Sequence, residues 1–587
     1  MPDAARRGAR PSAARAAPSV QHVVRCRPET RHFLTESRFE GFAGPATTLV
    51  LPVWTPGSYM VRDFSRHLAE TFARDDRGRP LPTTKARKNA WTVEHGGRPF
   101  RFYSRAFAFE ASVRTAYLDA ERGFFNGANL LPFVEGRLDV GADVRVVAPR
   151  GWRTATSMPP VRGRAGVFRA RDVDDLYDHP FLLGALRERR FRAAGRPHRF
   201  VVAGDGEFPA AKLCADVART IERTVALFGG PPPYRDYAFL TSFGPESDGQ
   251  GGLEHATSSA LQIPARALAD PARYRAAIGL VAHEHFHAWN VKRIRAAALG
   301  PFDYERENYV DLLWFHEGFT SYYDDLLPAR AGVFGRDDYL AIVADLVRTC
   351  LSAPGRRVQS LVDASLDAWI KFYKRNEEWR SATVSYYQHG ALVALALDLL
   401  IRRDSRGRRS LDDVMRALWA DARRGGALDA ERWLTLASKA CGRDVRPFYD
   451  RHVAGVQDPP VAEALASVGL RYGPKSRDDA RRPWLGAATR IDAGRTFVDE
   501  PLAGGPAYEG GVQPKDELVA VDGRRVGADL DAALRGLPPT AIIAVDVFRG
   551  DRLRRLTVRL RPDPHPAAAL TPLPRAGVAA RRRFEAW

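Results

Sequence analysis

The chain has 587 residues, enough for roughly three or four domains of ordinary size. Its 45% hydrophobic and 27% charged residues exclude collagenous, coiled-coil and wholly disordered chains. The net charge of +19 is spread along the chain apart from two basic tails, and no nucleic-acid-binding module accompanies it, so no nucleic-acid partner is expected. Four cysteines lie far apart with no CxxC pair, which excludes a cysteine zinc site and a disulfide scaffold. No run approaches the roughly 18 apolar residues of a membrane span.

Residues 1–18 carry arginines without an apolar segment and read as a disordered leader, with a cytoplasmic location expected. Residues 19–203 are rich in short strands and predict a β-sandwich-like domain. A strand over 48–54 ends at the turn residues Pro56-Gly57-Ser58, and 100–109 alternates aromatic and polar groups with period two. Further strands are expected at 138–140, 144–147 and 200–202. After Gly204 the pattern changes. Leu213, Val217, Ile221 and Val225 recur at helical spacing over 209–228, and a strand follows at 237–240. From Asp270, an N-cap ahead of Pro271, to about residue 451 the chain is mostly helical. Residues 204–470 thus read as an α/β lobe joined to a helical lobe. A polar linker spans 471–483, a compact β unit spans 484–562, and 563–587 reads as a mobile basic tail.

His283-Glu284-His285-Phe286-His287 is an HExxH motif. On a helix, positions i and i+4 differ by about 40° and about 6 Å of rise, so His283 and His287 can reach one ion. Glu284 lies about 100° round from His283, where a general base is needed beside an activated water. Thirty positions after His287, Glu317 stands in Trp314-Phe315-His316-Glu317-Gly318-Phe319-Thr320 and is the candidate third ligand. Two histidines and one carboxylate leave a fourth tetrahedral place for water, which suits one Zn2+ per chain. His285 points about 160° away from the His283–His287 seam. Glu305 and Glu307 rival Glu317 but stand in no matching motif.

Together these segments resemble the gluzincin metallopeptidases, and more closely the glycyl aminopeptidase family, which carries a C-terminal PDZ domain. The resemblance extends from about residue 20 to 560. It includes Trp54-Thr55-Pro56-Gly57-Ser58-Tyr59, Ser112-Val113-Arg114-Thr115-Ala116-Tyr117, Gly251-Gly252-Leu253-Glu254-His255 and Ser385-Tyr386-Tyr387-Gln388-His389-Gly390. It implies a multidomain α+β chain: an N-terminal β-sandwich-like domain, a thermolysin-like catalytic domain and a PDZ domain. It further implies that Gly251 and Gly252 pair with the substrate backbone and that Glu254 holds its free α-ammonium. Leu253 and His255 stand where methionine and asparagine are usual. Tyr387 is the implied oxyanion donor, with Tyr386 as the neighbouring alternative and His389 in place of the usual lysine. Trp484, Leu485 and Gly486 resemble the carboxylate-binding loop of a PDZ domain, which takes C-terminal peptides by strand addition.

The activity so implied is zinc aminopeptidase action on peptides with a free N-terminus, glycine or alanine first. The alternatives are a metallo-endopeptidase with PDZ-guided substrate choice and a non-catalytic PDZ binding protein. Glu254 separates the first two, and an intact Glu284 argues against the third.

Overall fold

The computed structural model describes residues 17–587. Residues 1–16, most of the expected leader, lie outside the described residues.

The N-terminal domain is β-rich. A seven-stranded sheet runs in the order Val167–Ala170, Ala142–Val147, Ser19–Arg27, His32–Glu40, Phe100–Phe107, Leu68–Asp75 and Pro80–Leu81. All its pairs are antiparallel except Ser19–Arg27 with Ala142–Val147. Two four-stranded sheets accompany it. The period-two pattern has a direct consequence. His32–Glu40 and Phe100–Phe107 bury alternate residues, and Phe39 stacks on Phe100 with ring centroids 5.2 Å apart. Residues 138–140 form no strand; a turn occupies 138–139 and the strand starts at Ala142, past Gly141. The strand expected over 48–54 already ends at Val50.

The catalytic region begins with a five-stranded sheet in the order Arg187–Ala193, Arg196–Ala203, Tyr237–Gly244, Ser258–Pro264, Gly251–Glu254. Its first two strands, which sequence analysis places in the N-terminal domain, belong here because Arg196–Ala203 pairs in parallel with Tyr237–Gly244. Among the described residues Gly251–Glu254 is the last strand and pairs only with Ser258–Pro264. The helix Ala210–Phe228 buries Leu213, Val217 and Ile221 against this sheet's core. Pro271–Phe286, the HExxH helix, starts at Asp270, whose side chain accepts from the Arg273 N–H at 2.8 Å. The helices Leu313–Arg330 and Gln388–Asp404 cross closely. A β-carbon at Gly318 would lie 2.5 Å from Cα of Gly390, so only glycine allows this approach, and it brings the start of the second helix over Glu317.

Residues 471–483 and 563–587 depart from the expected linker and mobile tail. Leu470–Pro474 pairs antiparallel with Ala568–Pro572, and Pro483–Trp484 pairs with Arg561–Pro562. The helix Val578–Ala586 follows, and Trp587 is buried in the core of the helical lobe. Its indole N–H donates to the Tyr322 hydroxyl at 2.8 Å, while Arg330 and Arg402 donate to the carbonyls of Trp587 and Ala586, both at 3.0 Å. A few apolar anchors, Leu570, Phe584 and Trp587, outweigh the Pro/Ala/Arg composition.

Between these pairings stands a C-terminal β-sheet domain with strands in the order Ala487–Asp492, Arg495–Pro501, Glu517–Val521, Ile542–Arg549, Arg552–Arg559 and its own core around Val498, Val545 and Val558. The buried Glu500 joins it to the catalytic region, accepting from the N–H of Arg380 (2.9 Å), the N–H of Ser381 (2.8 Å) and Ser381 Oγ (2.6 Å). No helix among the described residues is long and apolar enough to cross a membrane.

Candidate metal centre and active site

The HExxH helix and the Leu313–Arg330 helix converge on three buried ligands. The Nε2 atoms of His283 and His287 each lie 3.3 Å from Oε2 of Glu317. The ligand atoms of all three residues fall within 4.8 Å of one another. Each imidazole is oriented from behind. His283 Nδ1 meets Asp324 at 2.9 Å, and His287 Nδ1 donates to the Asn290 carbonyl at 2.6 Å. This leaves the Nε2 lone pair of His287 facing the cluster, as metal ligation requires.

The electrostatics agree. Burial alone would raise Glu317, but the two imidazoles hold its carboxyl well below the ordinary range. Burial alone would lower His283, but Asp324 and Glu317 raise it. A buried set of two imidazoles and a carboxylate, paired with one another and with Asp324 and with no Arg or Lys among the described residues, fits a dication.

The other candidates separate cleanly. His285 faces away and meets the Tyr234 hydroxyl at 2.7 Å. His316 meets Oδ1 of Asn290 at 3.1 Å, and burial lowers it to about 3. Glu305 pairs with Arg87 at 3.0 Å, away from the cluster.

Glu284 is buried between the ligands and the strand Gly251–Glu254, and burial pushes its carboxyl up to about 7. A β-carbon at Gly252 would overlap it. Glu254, at the end of the strand, is also buried, and its carboxylate comes within 4.8 Å of ligand atoms of both Glu284 and His287. His255 turns away to Asp178 at 3.3 Å, which Lys292 also holds at 2.6 Å.

Tyr387 stands just ahead of the Gln388–Asp404 helix. Its ring stacks 6.0 Å from that of His283, and it lines the same cavity. Burial raises its phenol well above the usual value, so the hydroxyl stays protonated. Tyr386 is fully buried and does not line the cavity. His389 turns to the Cys350 carbonyl at 3.2 Å.

The cavity measures about 400 Å³ and includes Gly57 and Arg114 from the N-terminal domain. Tyr373, Phe372 and Arg114 were not singled out as site residues by sequence. Arg114 lies in one of the segments of resemblance, while the stretch carrying Tyr373 has no motif or periodicity to mark it.

Trp484, Leu485 and Gly486 lie apart from this cavity, ahead of the edge strand Ala487–Asp492. The Leu485 and Gly486 carbonyls accept from the N–H groups of Ala507 (2.7 Å) and Leu502 (2.9 Å).

Residues 276–393 match the M61 glycyl aminopeptidase profile, and residues 22–185 match that of the peptidase M61 N-terminal domain. The chain belongs to the M61 glycyl aminopeptidase family. It is a metallopeptidase of the zinc aminopeptidase type. Among solved structures, an aminopeptidase N family protein from Idiomarina loihiensis shares 29% identity with this M61 peptidase at a TM-score of 0.90, covering 96% of this chain and 99% of that one. An M1 zinc metallopeptidase from Deinococcus radiodurans shares 16% identity at a TM-score of 0.49, covering 76% and 94%. No curated protein matches the chain.

Proposed function

We propose that this M61 peptidase removes small N-terminal residues, glycine or alanine, from peptides, with one zinc ion held by His283, His287 and Glu317. Zinc bound there would supply a Lewis acid that acidifies the attacking water and polarises the scissile carbonyl. Glu284 takes the proton of that water and returns it to the leaving amine. The raised carboxyl of Glu284 suits both halves of that exchange. The Tyr387 hydroxyl donates to the developing oxyanion. Gly251 and Gly252 let the substrate backbone lie along the free edge of the sheet.

The observation that carries the reading is the closeness of Glu254 to Glu284 and His287, within 4.8 Å. An α-ammonium and the carbonyl carbon of the same residue are only about 2.5 Å apart. A carboxylate so near the reacting centre therefore leaves room for one residue ahead of the scissile bond. An endopeptidase would need the chain to continue past Glu254, which is buried. The preference for glycine or alanine rests on the family resemblance. The same resemblance makes the C-terminal β-sheet domain a PDZ domain, with Trp484, Leu485 and Gly486 as its peptide-carboxylate loop.

The test is a panel of amino-acid anilides and N-acetylated peptides, with and without chelator. Hydrolysis of free-amino glycyl and alanyl substrates that chelator abolishes is the expected result. Equal cleavage of acetylated peptides would overturn the exopeptidase reading.

A further inference from the structure

Arg114 is the one cation from the N-terminal domain among the residues lining the active-site cavity, and nothing in the mechanism above uses it. Its backbone is clamped. Asn126 and Asn129, both buried, donate to the carbonyls of Val113 (2.9 Å) and Arg114 (3.1 Å), and the Arg114 N–H reaches Ser112 Oγ at 3.2 Å. The guanidinium so placed has little to bind. Among the described residues its contact is the Gly252 carbonyl at 3.5 Å, and its buried Nε has no partner there. Among the described residues its guanidinium forms no salt bridge. Burial works against the Arg114 charge and the Glu284 and Glu254 carboxylates favour it, yet neither meets it in a salt bridge, so its N–H groups stay open to an anion.

We propose that Arg114 binds a substrate carboxylate on the leaving-group side of the scissile bond. The inference rests on the reading of Glu254 as the amine anchor. With its N-terminus there, a substrate must run along the strand toward Gly252 and Gly251, because the chain turns back after Glu254: the His255 N–H bonds the Ser258 carbonyl at 2.9 Å. A β-carbon at Gly251 would lie 3.8 Å from Nη1 of Arg114. From Glu254 back to Gly251 is about 10 Å at the usual rise of a strand, the length of an extended tripeptide. The α-carboxylate of a di- or tripeptide therefore reaches Arg114. In longer peptides an acidic side chain just after the cleaved bond presents the same chemistry.

The test uses the zinc-loaded Glu284→Gln variant, so that binding is read without turnover. Trialanine and its C-terminal amide, each with a free and an acetylated amine, are titrated by calorimetry. The acid should bind about tenfold or more tightly than the amide. Arg114→Met should remove that preference while leaving amide affinity unchanged, and Arg114→Lys should restore part of it. A longer peptide with aspartate or asparagine in the second position separates the two carboxylate sources. Equal binding within both the acid/amide and the aspartate/asparagine pairs overturns the inference. So does an Arg114→Met variant that weakens all ligands equally. If that variant does not fold, the ratios on the parent protein still decide. Failure of the amine anchor shows instead as equal binding of free and acetylated peptides.

Discussion

Gly252 and the carboxylate of Glu284 share one space: any β-carbon at 252 would overlap the Glu284 side chain. The edge strand and the proposed general base are thus packed against each other. Gly252→Ala should displace the carboxylate and cost on the order of a hundredfold in kcat, as misplacements near 1 Å do. The metal ligands are untouched, so zinc content should stay at one per chain. Metal analysis beside steady-state kinetics checks this, and full activity in the alanine variant would separate the strand from the base.

Glu284→Gln keeps the shape of the side chain and removes its basicity. Zinc should remain bound, and turnover should fall by roughly 10²- to 10⁴-fold. Near-normal turnover would remove Glu284 from the mechanism.

Glu254→Ala should lose most of the rate on free-amino peptides and little on N-acetylated ones, which never used the contact. A charged hydrogen bond is worth about 1.5–3 kcal/mol, or roughly ten- to a hundredfold in kcat/KM. The readout is the ratio of rates on the two forms of one peptide. An unchanged ratio would dismiss Glu254 as the anchor.

The buried Asp398 predicts a pH dependence of stability. It accepts from Arg402 Nε (3.0 Å), the Tyr322 hydroxyl (2.7 Å) and the Leu411 N–H (2.7 Å). Burial would raise its carboxyl, but Arg402 and Arg330 hold it below the ordinary value. A depressed carboxyl contributes stability that is complete above its unfolded value of about 4 and is lost as pH falls through the folded one. Asp398→Asn should destabilise the protein at neutral pH by about 3–5 kcal/mol, since it strands the Arg402 charge, and should flatten the loss below about pH 4. Thermal melts of both proteins at pH 7 and pH 3.5 measure the difference.

Removing everything after residue 475 should unfold or inactivate the enzyme, because the cut takes Ala568–Pro572 and Trp587 out of the catalytic region's core. Replacing 484–561 by a short linker, with the tail kept, should preserve zinc binding and catalysis on short peptides. A loss of activity in that folded, zinc-loaded protein would show that the β-sheet domain completes the site.

The convergence of His283, His287 and Glu317 is legible in the sequence because a helix fixes the i, i+4 relation and the Trp-x-x-Glu segment resembles that of the gluzincins. The burial alternation of 100–107 was legible for the same kind of reason, a local period. Other features carry no local period. Periodicity identifies Arg196–Ala203 as a strand but does not say which sheet it joins. The tail looked mobile because its composition is Pro, Ala and Arg, while its order depends on Leu570, Phe584 and Trp587 finding distant partners. Tyr373 reaches the cavity from an irregular segment whose path only tertiary packing sets.

The paired strands Leu470–Pro474 and Ala568–Pro572 make the β-sheet domain an insertion rather than an appendage, since the chain leaves the catalytic region and returns to it at neighbouring points. With Glu500 clasped by Arg380 and Ser381 as a third point, the domain does not swing on a single tether. A peptide engaged at both the edge strand Ala487–Asp492 and the metal cavity would be measured against a fixed separation. A peptide site on that domain would make the pair a ruler, with avidity peaking for peptides whose length matches the gap and vanishing for shorter ones.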